Sequence, residues 1–529
     1  MSRRRDLFRP RTWLVAAGAV LLAAAVVWGP FRLPGGADGG QAGNAGRAVD
    51  AVGERDSNAF YEIFVRAFRD SDGDGIGDLN GITEKLDYLR DMGFSGIWLT
   101  PIHPSPSYHG YDVTDYYAIH PDFGTMEDFE RLVREAHARN IRVILDLVAN
   151  HTSSRHPWFL EASRNPDSPK RDWYVWADEN TNLSAAGAVG GRAWHPAAAG
   201  HYLGIFWEGM PDLNPDNPEV LEEMIRIARF WLEKGVDGFR LDAAKHLYEN
   251  FPHETGKPAV AEKNAAWWRA FRAGLEEVRP DVYLVGEVWD APSVIGPFLD
   301  GAFDAAFNFD LAGRLVAMAK SGEAVDIGHA VARIHEYYGR VSGGSFEDAV
   351  FLSNHDQNRV MSQLGGHVGK AKAAAALLLT MPGKPYVYYG EEIGMEGVKP
   401  DENLRRPMPW ETVEAQAADP DSLLSRYRTL VHWRKMEPAL ARGAIASYTV
   451  DNPRVASYLR LLEDETLLVL VNLSDGTERV RLGEDAAGLA VSLATSPDVR
   501  LSGEFAELPP YEAVVLKGKS RQSIKERSR

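Results

Sequence analysis

Four short segments end on side chains able to move protons or hold charge: DLVANH (Asp146–His151), GFRLDAAKH (Gly238–His246), GEVW (Gly286–Trp289) and FLSNHDQNR (Phe351–Arg359). Each closes an apolar run that reads as a strand. A single aspartate at a strand end is usually a cap or an ion-pair partner. Three carboxylates at three such ends, Asp242, Glu287 and Asp356, with His151, Arg240 and His355 among them, ask for another explanation. Glycosidic bond cleavage is chemistry that uses such a set. A retaining enzyme needs two carboxyl groups about 5 Å apart, one to attack the sugar and one to protonate the leaving oxygen. Neighbouring charges must keep the first ionised and the second protonated. Arg240 precedes Asp242 by two residues, and side-chain direction along a strand repeats every two, so both point to one side. Arg240 can therefore hold Asp242 ionised.

The elements that must carry these residues begin at about Phe60, where short apolar runs alternate with longer amphipathic ones. The strand-like runs are FYEIFV (Phe60–Val65), GIWLT (Gly96–Thr100), VILDLV (Val143–Val148), GFRLD (Gly238–Asp242), YLVGE (Tyr283–Glu287), AFNF (Ala306–Phe309), AVFLSN (Ala349–Asn354) and YVYYG (Tyr386–Gly390). Helical spacing lies between them, as in Thr83–Met92, Met126–Arg139, Pro218–Lys234 and Ala371–Leu379. Eight strands each followed by a helix predict an α/β fold, a (β/α)8 TIM barrel, with a doubly wound open sheet as the alternative. Barrel enzymes place their chemistry at the strand ends where these polar residues fall.

One connection is too long for a βα loop: His151 to about Pro211, after the third strand. Its Trp158, Trp173, Tyr174, Trp176, Trp194 and Trp207 predict an inserted subdomain over the barrel mouth, with most of these rings serving as its core. From about Gly443, short alternating runs predict a C-terminal antiparallel β-domain. The expected layout is a basic N-terminal segment (1–12), an apolar signal or anchor segment (13–31), a flexible linker (32–57), a barrel (58–150 and 212–438), an inserted subdomain (151–211), a β-domain (439–517) and a basic tail (518–529).

Composition narrows the function classes. The chain has 529 residues, 45% hydrophobic and 25% charged, enough for two or three globular domains. A formal net charge of −17 argues against nucleic acid, whose phosphates need a basic face. With no cysteine there are no disulfides, thiol nucleophiles, thiolate zinc sites or lipidated N-terminal cysteine. Arg3, Arg4, Arg5, Arg9 and Arg11 precede an uncharged apolar run, Trp13–Trp28, which predicts a cytoplasmic N-terminus and an exported remainder. The Gly/Ala-rich stretch Leu33–Val52 holds no Ala-x-Ala site, which favours a retained membrane anchor over a cleaved signal peptide. Both readings place the folded part outside the cytoplasm.

In order and strand placement the four segments resemble the signature regions of the α-amylase superfamily, glycoside hydrolase family 13, from about Phe60 to Leu516. The resemblance implies Asp242 as nucleophile, Glu287 as general acid/base and Asp356 as a third carboxylate gripping sugar hydroxyls. It implies glucose contacts for His151, Arg240 and His355, a supporting role for Asp146, and an aromatic platform at Tyr111 in SPSYHGYDVTDYY. Asp112 and Arg405 would pair to close the non-reducing end, although RRPMPW around Arg405 departs from the RTPMQW of the oligo-1,6-glucosidase branch. Lys245 and His246 would border the leaving-group side.

DSDGDGIGD (Asp70–Asp78) reads as a calcium loop, since alternate carboxylates with turning glycines can wrap a hard cation in oxygens. It is not an EF-hand, because Gly81 stands where a bidentate Glu is required; the alternative is a solvated acidic turn. The resemblance implies structural calcium on Asp70, Asp72, Asp74, the Ile76 carbonyl and Asp78. It also implies a second site using Asn150 and the His246 carbonyl, with no subdomain ligand legible.

Three details bear on specificity. Ala243 follows the nucleophile position, where the α-1,6-specific branch usually has valine; AKH (Ala244–His246) resembles amylases. MPDLN (Met210–Asn214) lies between the QPDLN of oligo-1,6-glucosidases and the MPKLN of neopullulanases, and resembles the intermediate group of bacterial α-amylases. The implied activity is endo-acting, retaining hydrolysis of α-1,4 bonds in starch or maltodextrin. The alternatives are a maltogenic amylase, an α-glucosidase or oligo-1,6-glucosidase, or a glucan-transferring enzyme of the same family. From another class, a non-catalytic, membrane-anchored amylase-like chaperone subunit remains, against which all three carboxylates stand.

Overall fold

The computed structural model describes residues 57–486 and 488–519. The expected basic segment, the signal or anchor segment and the linker up to residue 56 lie outside the described residues, as does the tail beyond 519. Among the described residues, no helix is long and apolar enough to cross a membrane.

Eight parallel strands close into a barrel in sequence order: β1 (Phe60–Ile63), β2 (Gly96–Leu99), β3 (Arg142–Leu147), β4 (Gly238–Leu241), β5 (Tyr283–Gly286), β6 (Ala305–Phe307), β7 (Glu347–Val350) and β8 (Lys384–Tyr388), with β8 pairing back onto β1. The doubly wound alternative is thereby excluded. The strands are short and buried on both faces, which explains their continuous apolar sequence. Inside the barrel Phe60, Trp98, Phe307, Phe351 and Tyr386 form a plug beneath the mouth. Ring centroids lie 4.9 Å apart for Phe307–Tyr386 and 5.4 Å for Trp98–Phe307. This packed floor gives the polar residues above it a rigid base. Gly238 opens β4 because a Cβ there would lie 1.9 Å from the carbonyl oxygen of Tyr283 on β5.

The surrounding helices start where their caps dictate. Thr125 and Asp128 form a capping box before Met126–His137, and Asn217 caps Pro218–Glu233 with proline at the first turn. Two local expectations change. The helix expected over Thr83–Met92 is two, Leu79–Glu84 and Leu86–Met92, separated at Lys85. The AFNF strand stops at Phe307, because the Asn308 side chain accepts from the Leu311 N–H and starts the next helix.

Between β3 and β4 the chain leaves the barrel as the inserted subdomain, with a helix (Pro157–Arg164) and a hairpin of Trp194–Ala197 against Gly200–Leu203. Its aromatics pack mainly on one another: Phe159 lies 4.7 Å from Tyr202 and 5.1 Å from Tyr174, and Trp158 lies 4.8 Å from Trp173. Of the six aromatics singled out in the sequence, Trp207 is the exposed one, at 46%.

The C-terminal domain has a five-stranded antiparallel sheet, in the order Ala444–Ser447, Val455–Leu462, Glu465–Asn472, Ala513–Lys519, Ala490–Ala494, and a separate three-stranded sheet. Leu459, Leu468, Leu470, Leu508 and Leu516 belong to its core. Buried Arg460 ties it to the barrel by donating to the carbonyls of Thr380, Leu440 and Gly443. The last strand runs to Lys519, two residues into the expected tail, because it still pairs with Thr466 and Glu465.

Candidate active site

The chemistry-bearing residues meet at the C-terminal end of the barrel. Asp242 follows β4 and Glu287 follows β5, and both continue the ladder: the Asp242 N–H donates to the Leu147 carbonyl at 3.1 Å and the Glu287 N–H to that of Leu241 at 3.0 Å. Asp146 is on β3 and Glu62 on β1; Tyr111, His151 and His355–Asp356 lie on the loops after β2, β3 and β7.

Arg240 is the hub. Its side chain is 1% exposed, and Nη1 donates to Asp242 Oδ1 at 2.6 Å and Asp146 Oδ1 at 2.8 Å, while Nη2 donates to Glu287 Oε2 at 2.8 Å. One planar fork thus fixes both members of the carboxylate pair. Burial works against its charge, but Asp146, Glu287, Tyr111 and Asp242 hold the guanidinium ionised. Burial raises the Asp242 carboxyl, Arg240 opposes that rise, and Glu287 and Asp146 add to it. Ala243 has φ of +46°, the left-handed region a side chain rarely adopts, and its N–H donates to Glu287 Oε2 at 3.1 Å. Both donors engage Oε2 of Glu287.

A second chain of contacts runs across the mouth. Glu62 Oε1 accepts from His355 Nδ1 at 2.6 Å, and His355 Nε2 lies 2.6 Å from the Tyr111 hydroxyl and 3.1 Å from Asp356 Oδ2. Tyr111 donates to Asp146 Oδ2 at 2.9 Å and its ring stacks on His355 at 5.5 Å. Burial disfavours charge on His355, but Asp356 and Glu62 outweigh it and push the imidazole up to about 10. Burial likewise opposes ionisation of Asp356, yet His355 and Arg405 hold its carboxyl well below the usual carboxylate range. The imidazolium therefore persists through neutral pH; its contribution to stability is complete below the ordinary histidine pKa of about 6.5 and is lost as pH rises through the folded value of about 10. Glu62→Gln removes one of its two carboxylate partners. The alkaline limb of kcat/KM is expected to move about one pH unit lower. An unmoved limb would show that Glu62 does not set the charge of His355.

Of the other residues singled out, His151 is buried against Phe206, with ring centroids 5.2 Å apart, and burial lowers its pKa to about 3, leaving a neutral ring. Its Nε2 has no hydrogen-bond partner among the described residues. Lys245 pairs with Glu249 at 2.8 Å and Asp290 at 2.9 Å, and His246 Nδ1 lies 2.8 Å from the Glu249 carbonyl. Beside the pair, Trp289 lies flat on Phe309 at 4.4 Å and is 56% exposed.

The expected Asp112–Arg405 pair does not form. Arg405 Nη2 binds Asp356 Oδ1 at 2.7 Å and Nη1 the Tyr108 hydroxyl at 3.0 Å, because the fold brings Asp356 within its reach. Asp112 accepts from the hydroxyls of Ser105 and Ser107. Sequence reasoning missed Glu62, Phe206 and Asp212. A carboxylate in the middle of FYEIFV was the available signal for the first. Asp212 is buried against Asn150, whose Nδ2 donates at 3.2 Å, and burial pushes it up to about 8.

Further along the loop after β1, carboxylate oxygens of Asp70, Asp72 and Asp78 lie within 4.8 Å of one another. Asp74 is not among them; its Oδ1 accepts from the Ile76 N–H at 2.7 Å. Asp78 also caps the following helix by accepting from the Gly81 N–H at 2.7 Å.

A closed (β/α)8 barrel carrying three carboxylates and an arginine at its mouth defines a glycosidase. Residues 62–443 match the α-amylase catalytic domain, and residues 443–515 match a domain of unknown function. The chain therefore belongs to the α-amylase family, glycoside hydrolase family 13. It is 44% identical to α-amylase 3 of Dictyoglomus thermophilum over 438 residues, 78% of this chain and 84% of the relative. It is 31% identical to the oligo-1,6-glucosidase of Parageobacillus thermoglucosidasius, over 86% of this chain and 97% of the relative. Among solved structures, the α-amylase from H. orenii superposes with a TM-score of 0.79 at 44% identity, covering 87% of this chain and 99% of that one.

Proposed function

We propose that this glycosidase is an endo-acting, retaining hydrolase of α-1,4-glucosidic bonds in starch or maltodextrin. The observation that carries the reading is the Arg240 fork, with one arm on Asp242 and the other on Glu287 at the ends of adjacent strands. Asp242 attacks C1 of the glucosyl unit while the bond from C1 to the bridging oxygen breaks and Glu287 gives that oxygen its proton. Glu287 then takes a proton from water, whose oxygen attacks C1 and releases Asp242, so two inversions retain the anomeric configuration. Asp356, kept ionised by His355 and Arg405, grips sugar hydroxyls as positive charge develops at C1. Tyr111, His151, Arg240 and His355 shape the glucose pocket, Asp112 and Arg405 stand at its non-reducing side, and Lys245 and His246 border the leaving chain.

The α-1,4 preference is supported by the small Ala243 beside the pair and by the similarity to α-amylase 3. Digestion of maltoheptaose and soluble starch tests it. Mid-chain products and a rapid fall in polymer length are expected; stepwise glucose release with length barely changed would overturn endo-action, and faster cleavage of α-1,6 oligosaccharides would overturn the linkage.

Asp70, Asp72 and Asp78, with Asp74 and the Ile76 carbonyl on the same loop, fit a structural calcium, being an all-oxygen set on a glycine-turned loop. The ion would brace the loop after β1. A chelator is expected to lower the melting midpoint before it affects turnover; saturation a hundredfold above Kd corresponds to about 2.7 kcal/mol. Identical melting with and without chelator would overturn the site. The arginine-flanked apolar run Trp13–Trp28 supports a location outside the cytoplasm, tethered to the membrane or released. Fractionation of cells expressing the full chain checks it.

A further inference from the structure

Asp356 sits on the loop after β7 and not on a strand, so its place depends on what holds that loop. Two arginines do so from opposite sides. Arg405, on the connection after β8, donates through Nε to the His355 carbonyl at 3.0 Å and through Nη2 to Asp356 Oδ1 at 2.7 Å. Arg359, at the far end of the loop after β7, makes the return contact. The near end is closed by Ser353, whose hydroxyl accepts from the Val360 N–H at 3.2 Å and donates to buried Glu391 at 3.3 Å.

Arg359 is 1% exposed, and its side-chain bonds go to backbone. Nε donates to the Leu404 carbonyl at 2.8 Å and Nη1 to that of Tyr389 at 2.7 Å, while its own N–H donates to the Gly397 carbonyl at 3.0 Å. The guanidinium lies over the rings of Tyr388 and Tyr389, 4.4 and 4.7 Å from their centroids. Those two hydroxyls bind the same segment, Tyr388 donating to the Leu404 carbonyl at 3.2 Å and Tyr389 to that of Arg406 at 2.6 Å. Burying a guanidinium is costly, and an apolar side chain would fill this space without that cost. What arginine supplies is a planar fork that reaches two separate carbonyls at once. Tyr389 and Leu404 stand near the two ends of the connection, and Leu404 directly precedes Arg405. The loops therefore hold each other: Arg359 pins the backbone that delivers Arg405, and Arg405 reaches back to Asp356.

We propose that Arg359 is a positioning residue for Asp356, acting through Arg405, whose backbone it locks where the guanidinium can grip the carboxylate. Buried beneath Tyr388 and Tyr389, it does not touch the sugar. The inference rests on the reading of Asp356 as the carboxylate that grips sugar hydroxyls in α-1,4 cleavage. That grip matters most as charge develops at C1, so loss of Arg359 falls on kcat more than on KM.

The experiment is a double-mutant cycle of Arg359→Met and Arg405→Met, with kcat and KM measured on maltoheptaose and thermal midpoints as a check on folding. Arg359→Met is expected to lower kcat/KM about tenfold or more, chiefly through kcat, and Arg405→Met to lower it further because the grip itself is lost. In the double variant, Arg359→Met is expected to add less than about twofold to the loss from Arg405→Met, since the group it positions is already gone. Arg359→Lys, whose single ammonium cannot span both carbonyls, is expected to fall between wild type and Arg359→Met. It takes the place of the methionine variant in the cycle should that variant melt early. Losses that multiply in the double variant, or wild-type kcat/KM in both Arg359 variants, would overturn the positioning role and leave the function standing. A wild type inactive on maltoheptaose, or an Asp356→Asn variant with wild-type kcat, would overturn the reading beneath it, and the positioning role with it.

Discussion

Asp242→Asn is expected to lower kcat on maltoheptaose by about 10⁴-fold or more while leaving the melting midpoint at neutral pH unchanged or higher. Loss of a nucleophile removes the covalent route altogether, and the amide cannot replace the attacking oxygen. The stability side follows from burial, which raises the Asp242 carboxyl, with Arg240 opposing. A group whose folded pKa is raised stabilises the fold only at low pH, and that contribution is lost as pH rises through the folded value. Replacing it with a neutral isostere therefore removes a cost at pH 7. Glu287→Gln is expected to cost about 10²–10⁴-fold on maltoheptaose, and much less in the first step with α-glucosyl fluoride, because fluoride departs without a proton from the enzyme. A large fall in the melting midpoint of either variant would mean that the residue holds the fold and not the chemistry.

Arg240→Met is expected to combine the second largest loss of activity with the largest loss of stability. The side chain is 1% exposed, and its removal leaves Asp146, Asp242 and Glu287 around a site with no guanidinium. Breaking a buried ion pair by removing one partner costs about 3–5 kcal/mol. The sign with pH is specific. Without Arg240, the opposing influence on Asp242 and Asp146 is gone and burial raises both further. Their protonated forms then dominate in the folded state, so the deficit against wild type should shrink as pH is lowered from 8 to 5. Chemical denaturation at a series of pH values measures this. A deficit that is absent at pH 8, or that grows on acidification, would show that Arg240 is not the counter-charge of the site.

Much of this arrangement was legible in the sequence because barrel strands are short, apolar and punctuated by the residues that do the work. All eight runs lie at the barrel strands, and the period of two puts Arg240 and Asp242 on one side, where Nη1 of the first meets Oδ1 of the second. What was not legible depends on contacts between distant segments. Glu62 belongs to the site only because β1 faces the loop after β7, 293 residues away along the chain. Asp112 and Arg405 looked like partners by resemblance, yet the choice of Asp356 over Asp112 is made by three-dimensional reach. Trp207 is one of six aromatics singled out in the insertion, and nothing local marks it as the exposed one. Asn308 shows the same limit on a small scale, since a cap residue inside an apolar run reads as strand until its side chain is seen bonded to the next helix.

Trapping the covalent intermediate tests the central claim most directly. 5-Fluoro-α-D-glucosyl fluoride is incubated with Glu287→Gln, in which fluoride can leave but general-base assistance to the second step is lost; the protein is then digested and its peptides mapped by mass. The C1–F bond breaks, an ester forms between C1 and a carboxylate oxygen, and fluoride is released. The account predicts one fluoroglucosyl adduct per protein, on the peptide containing Asp242, and none in Asp242→Asn. An adduct on another carboxylate, or one that persists in Asp242→Asn, would contradict it.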